Sequence, residues 1–370
     1  MFFFKSLFAM KKIAIVLVLG VFALASCTKA IQTIDQVHEQ WPNKSIKAPK
    51  NANVVQLVEA FNKAFPTYSV GQFLKDVQLP EEEQQFIVVT DLNNGSLSFA
   101  EGSDDQSSES MKAHVWNRND GHQLLVIVFD QLSSQVGTFA AFYDYDPGKG
   151  VLKPEASPIE GFTPSYSNAM VGIRLPEEGN DLVVSEYFMN WWSSIEHVYA
   201  WNGQGFDQPK VDIFIMDELE RLEDFDSYFT SSDPPVKYTL IDIDGDDEPE
   251  LWLASENEEC QEVFSVVEGK PYYLAGTDFR RSLCFYDGVV GDVGGCGTGC
   301  YYTYYTKLKN SIPEFWMSCI QSNYYDMDTD QQVDVSEYVK NEEEISVEEG
   351  ESIHASFGEP KEVVPNWISL

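Results

Sequence analysis

The chain has 370 residues, 60 of them acidic against 24 basic, for a formal charge of −36. So acidic a surface repels phosphate backbones and rules out a polybasic membrane patch, which argues against nucleic-acid partners. With 43% hydrophobic and 14% aromatic residues the chain can bury a large core, so disorder is disfavoured, and the length allows one large domain or two ordinary ones.

The N-terminus reads as an address. Lys11 and Lys12 precede an apolar run of 13 residues, 13–25. A spanning helix needs about 20 apolar residues, and a cationic start with a short apolar stretch and a small-residue end is the signal-peptide pattern. The run closes on Leu24-Ala25-Ser26-Cys27, which resembles the bacterial lipobox. The resemblance implies cleavage before Cys27 and lipidation of its thiol with acyl chains of the palmitate kind. Two or three such chains would tether the mature protein stably to a bacterial membrane. The expected location is the cell envelope, with the outer membrane preferred, facing periplasm or exterior. Removing residues 1–26 takes away three lysines and no acid, so the mature charge becomes −39. Residues 27–50, polar and interrupted by Pro42 and Pro49, read as a tether or a loosely packed arm.

Apolar residues Val54, Leu57, Val58, Phe61 and Phe65 recur at helical spacing until Pro66 stops the run. Strand patterns follow at 86–89, 111–118, 122–129, 139–145, 182–189 and 197–201. Asn119-Asp120-Gly121 between two of them is a strong hairpin signal. Residues 217–225 read as a short helix and 231–235, with two prolines, as a linker. Strands are expected again at 238–243, 250–254, 263–267, 272–275, 284–286, 301–307 and 315–320. A last helix is punctuated by the capping pair Ser346 and Glu349 and by Gly358 and Pro360. The fold class is mainly β with a few helices (α+β), in antiparallel meander or sandwich-like sheets. Two β-rich halves are expected, at 51–230 and 236–370.

Asp242-Ile-Asp244-Gly245-Asp246-Asp247-Glu248-Pro249-Glu250 is the sharpest chemical signal. Asp242, Asp244, Asp246 and Glu250 stand at positions 1, 3, 5 and 9, and alternate residues of a tight loop can turn inward as a hard oxygen cage for Ca²⁺. Six acids in nine residues repel one another without a cation. The run resembles the acidic loop of FG-GAP and VCBS-type repeats, which lies between two strands, and the resemblance implies a structural calcium ion locking a hairpin. It is not an EF-hand, because position 12 is Leu253 and the flanks are strands. A second acidic run, Asp326 to Glu337, has EF-hand spacing, but Gln331 replaces the turn glycine and a charged hairpin tip is expected instead.

Cys260, Cys284, Cys296, Cys300 and Cys319 all follow the expected linker. In an exported protein they read as disulfide candidates, with one thiol left over. Zinc or a reactive cysteine is the alternative, but paired C-x-x-C knuckles and adjacent histidines are absent. The chain has no G-x-S-x-G and no H-E-x-x-H, so no catalytic residues are nominated. Trp191-Trp192 and the rings of Tyr301, Tyr302, Tyr304 and Tyr305 suit sheet packing, with a sugar-stacking platform as the alternative.

Across these signals the chain resembles uncharacterised lipoproteins of Gram-negative bacteria that carry a β-rich body and one DIDGDxxPEL-type loop. The residues that carry this are 24–27, 116–122, 142–147 and 242–251. The family supplies no established activity. The reading is an envelope-anchored, non-enzymatic binding or interaction protein with an unspecified protein or glycan partner. The alternatives are an extracytoplasmic hydrolase of glycans or peptides and a purely structural envelope component.

Overall fold

A computed structural model describes residues 41–370 apart from 42, 67, 77–78, 80–85, 94, 102–108, 132–136, 160–161, 166–168, 177–178, 189–192, 216–234, 278–280, 298–299 and 327–330. The described chain is mainly β, with three helices and four antiparallel sheets. Its contacts divide it into two units, Met1–Ser157 and Pro158–Leu370.

The first unit is one sheet covered by helices. Its strands are β1 (Ile46–Lys47), β2 (Phe86–Asp91), β3 (Ser96–Glu101), β4 (Glu109–Asn117), β5 (Gln123–Gln131), β6 (Gly137–Asp146) and β7 (Val151–Pro154). From β2 to β7 each strand pairs with the next, as a meander, and β1 adds to the far edge beside β7. Helix α1 (Val54–Ala64) begins where expected, because Asn53 and Gln56 form a reciprocal capping box. Its Leu57, Val58 and Phe61 share one core with Met111 and Ala113 of β4 and with Leu125, Ile127 and Phe129 of β5. A second helix, α2 (Tyr68–Asp76), adds Phe73, which stacks on Phe99 of β3 at 3.9 Å.

The expected tether is corrected from Trp41 onward. Trp41 is buried, with its ring 5.5 Å from Phe61 and 5.4 Å from Phe129. Tyr143 donates a hydrogen bond to its carbonyl, and Tyr145 donates to the Pro49 carbonyl while accepting from Ala52 N. Gly150 makes the close approach possible: at φ +66 it has no Cβ, and one there would lie 2.5 Å from the Ala48 carbonyl oxygen. Polar composition hid a segment that two tyrosine hydroxyls and one indole hold to the sheet.

The second unit has three sheets. One holds β8 (Met170–Arg174), β9 (Leu182–Tyr187), β10 (Ser193–Tyr199) and β11 (Lys210–Ile215). The next runs β15-β14-β13-β12-β22, from β12 (Pro235–Ile241), β13 (Glu250–Ser255), β14 (Gln261–Val267), β15 (Lys270–Thr277) and β22 (Ile368–Ser369). The last is a meander of β16 (Arg281–Tyr286), β17 (Val289–Gly297), β18 (Cys300–Lys309), β19 (Ile312–Asp326), β20 (Gln331–Lys340) and β21 (Glu343–Ile345). One core draws Trp252, Val263 and Leu274 together with Phe285, Val290 and Leu308. Another joins Phe188 and Ile195 to Leu253, Phe264, Tyr273 and Tyr304.

The expected boundary at 231–235 therefore lies inside the second unit. Phe188, before it, stacks on Tyr273, after it, at 3.9 Å and 6°. A proline pair breaks regular structure locally but does not stop the flanking segments from sharing a core. The short helix expected at 217–225 lies outside the described residues.

Helix α3 (Val347–Ser356) starts at its expected cap, where Ser346 Oγ accepts from Glu349 N. It packs Ile353 and Phe357 on Tyr286, Tyr305 and Tyr338. Gly350 lies directly against Tyr338, where a Cβ would come within 2.2 Å of the ring. Helix propensity alone favours Gly350→Ala by about 1 kcal/mol. Overpacking of about 1–3 kcal/mol reverses that sign. Gly350→Ala is thus expected to lower the denaturant midpoint, and a raised midpoint would show that the helix stands off the ring.

Candidate metal centre

The acidic run joins β12 to β13, and the pairing of Ile241 with Glu250 closes it. Gly245 and Asp247 take left-handed backbone, at φ +77 and +69. Aspartate tolerates that region better than most residues, which is how Asp247 holds it without being a glycine. Asp242 caps the turn from within: Oδ1 accepts from Gly245 N at 2.7 Å and Oδ2 from Asp247 N at 3.3 Å. Ile243 points the other way and is buried in the core beside Trp252. Alternation around Ile243 gathers Asp242, Asp244 and Asp246, each offering one oxygen within 4.8 Å of the others.

Glu250, expected as the fourth ligand, is not part of that group. It is fully buried, with Oε2 accepting from Ile243 N at 2.9 Å and Oε1 from Ser311 Oγ at 2.8 Å. Burial pushes its carboxyl pKa upward, those two hydrogen bonds oppose the shift, and the nearby Asp244 charge adds to it.

Ser311 completes the site and is not legible in the sequence. It lies in the turn between β18 and β19, where Asn310 and Ser311 both have positive φ, as a type I′ turn requires. Its amide donates to Asp244 Oδ2 at 2.9 Å. Its hydroxyl lies 2.8 Å from Glu250 Oε1, 3.2 Å from Asp246 Oδ2 and 3.3 Å from the Glu248 carbonyl. One hydroxyl proton faces three acceptors, and Asp244 Oδ1 is buried with no partner at all. The turn before β17 adds a further stitch, from Gly288 N to the Ile243 carbonyl at 3.0 Å. Asn310-Ser311 announces a turn, but nothing in the sequence says that the turn reaches a loop more than sixty residues earlier.

No protein-family model, curated protein or solved structure matches this chain.

Cys260, Cys284 and Cys319 are in no disulfide, which corrects the disulfide expectation for these three. Cys284 is on β16 and Cys319 on β19, with β17 and β18 between them. Three strand spacings of about 4.8 Å put the pair beyond disulfide reach. Burial raises the Cys284 thiol to about 11 and moves the Cys319 thiol the same way, so both are neutral thiols. Cys300 is disulfide-bonded, to none of these three, and the Cys296 side chain lies outside the described residues.

The second acidic run flanks a hairpin, with Asp326 paired to Gln331 across the tip. Tyr304 and Tyr305 are both buried, on opposite faces of β18, while Tyr301 is 63% exposed. Trp191 and Trp192 lie outside the described residues. Glu186 and His197 form a 2.7 Å pair, and Ser165 N and Oγ donate to the same carboxylate. Both members of the pair are buried, so it reads as a satisfied structural contact.

Proposed function

We propose that this chain is an envelope lipoprotein anchored through Cys27, with a non-enzymatic binding body built as packed β-sheets and braced by one calcium-type ion. Asp242, Asp244 and Asp246 would hold the ion, with Glu250 and Ser311 behind them. The supporting observation is the partnerless, buried Asp244 Oδ1 beside two further carboxylates. A buried carboxylate oxygen without a partner is costly, and a hard cation satisfies it. The all-oxygen donor set in a loop matches the preference of calcium. The ion's role would be structural, since Ser311 ties this loop to the β18–β19 turn. The lipobox at 24–27 supports the anchor.

Two measurements test the reading. Expressed with its leader in a Gram-negative host, the parent is expected in the membrane fraction and Cys27→Ala in the soluble exported fraction. A Cys27→Ala chain that stays with the membrane removes the anchor. Calorimetric titration of purified Cys27→Ala protein with calcium is expected to give one site per chain, and a flat titration removes the ion.

A further inference from the structure

The acidic loop holds six acids and no base in nine residues, but a cation faces it from another part of the unit. Lys307 is half-buried near the end of β18, ahead of the Asn310-Ser311 turn. It pairs with Val289 of β17 and Phe315 of β19. Its ammonium donates to the Asp287 carbonyl at 3.0 Å, in the turn between β16 and β17. That turn is fixed from both sides. Gly288 N donates to the Ile243 carbonyl of the loop at 3.0 Å, and the Gly288 carbonyl accepts from Leu308 N at 2.8 Å.

Gly288 shows how near the ammonium and the loop are. At φ +66 it has no Cβ, and one there would lie 2.9 Å from Lys307 Nζ and 3.5 Å from Asp244 Cβ. The ammonium and the root of the Asp244 side chain therefore border the same glycine-sized space. Among the described residues Lys307 has no carboxylate paired to it, while the neighbouring Asp287 carboxylate is held by Lys361 at 3.0 Å. The field of Lys307 thus falls on the loop.

Two effects of opposite sign follow. In the empty loop one positive charge offsets part of the repulsion among Asp242, Asp244 and Asp246. Once a divalent ion sits among those carboxylates, the same charge repels it. In water-like surroundings a unit charge about 8 Å from a divalent ion changes its affinity roughly fivefold, and partial burial strengthens this.

We propose that Lys307 sets the affinity of the acidic loop: its ammonium stands in part for the cation when the loop is empty and opposes a divalent ion that enters. This rests on the ion proposed above and names the residue that regulates its binding.

The test is calorimetric titration with calcium of purified Cys27→Ala protein, with and without Lys307→Gln, at about 0.01 M ionic strength. Lys307→Gln keeps a donor for the Asp287 carbonyl and removes the charge. Its calcium dissociation constant is expected to be roughly five- to tenfold below that of the parent. Its Tm in chelator should be lower, and its rise with calcium larger. Lys307→Arg keeps the charge and should bind as the parent does. At about 1 M salt, where the screening length is about 3 Å rather than about 30 Å, the gap between Lys307→Gln and the parent should narrow. Lys307→Met makes the same comparison should the glutamine variant misfold. A parent that binds calcium while the folded neutral variants bind it no tighter overturns the inference and leaves the ion standing. Tightening as large in Lys307→Arg, or a gap untouched by salt, marks altered packing instead of lost charge and also overturns it. If neither parent nor variants take up calcium, the ion is gone and the inference falls with it.

Discussion

Replacing Glu262 by glutamine is expected to stabilise the second unit at about pH 8 and to leave it unchanged near pH 4.5. Glu262 is on β14 and fully buried. Its Oε2 accepts from Ser193 Oγ of β10 at 2.6 Å, and its Oε1 has no partner. Tyr273, the neighbour that feels its charge, also feels Asp292, Cys260 and Arg281. Burial raises the Glu262 carboxyl from 4.5 to about 7, against the opposing Ser193 hydrogen bond. The folded state thus binds a proton that the unfolded state has released between these two values. Stability from this group is complete below 4.5 and lost as pH rises through 7. A shift of that size corresponds to a ceiling of about 3 kcal/mol.

His114 in the first unit works in the opposite direction. Burial lowers it from 6.5 to about 4, so its contribution is complete above 6.5 and lost as pH falls toward 4. The difference between Glu262→Gln and the parent cancels that background. The measurement is the denaturant midpoint of both proteins across this pH range. Parallel profiles, with no gap opening above neutrality, would show that the carboxylate is not buried as described.

Calcium at a hundredfold excess over its dissociation constant is expected to add about 2.7 kcal/mol to the second unit. For a unit of this size that raises Tm by roughly 5–10 °C. Asp244→Asn keeps an oxygen for the Ser311 amide while removing the charge, so it should fold and lose the shift. Ser311→Ala should lower Tm in chelator, because Glu250 then loses a hydrogen bond inside the core. Differential scanning calorimetry with calcium, magnesium and chelator decides the matter. An unmoved parent, or an Asp244→Asn chain that gains as much as the parent, would sink the ion.

Local features of the fold were legible because their causes are local. Asn53 with Gln56 and Ser346 with Glu349 mark helix starts by capping, and the structure begins α1 and α3 there. Asn119-Asp120-Gly121 marks a hairpin because glycine reaches φ +84 without strain. Gly245 and the alternating aspartates likewise gave the loop its shape from nine residues. The free state of Cys284 and Cys319 was not legible, because it depends on how many strands separate them. Nor was the packing of Trp41, which rests on tyrosines about a hundred residues away.

By itself, then, the sequence determined the strong negative charge, the helix caps and the carboxylate set at 242–246. Each follows from charge, spacing or backbone preference within a few residues. Only the tertiary structure decided that Ser311 enters the acidic loop, that Glu250 turns inward to brace it and that Glu262 is buried without a full set of partners. It alone brought the last ten residues across Trp252 and Phe285. These are meetings of segments remote in sequence, and hydrophobic burial, which drives them, is non-directional and leaves no local mark of which surfaces will meet.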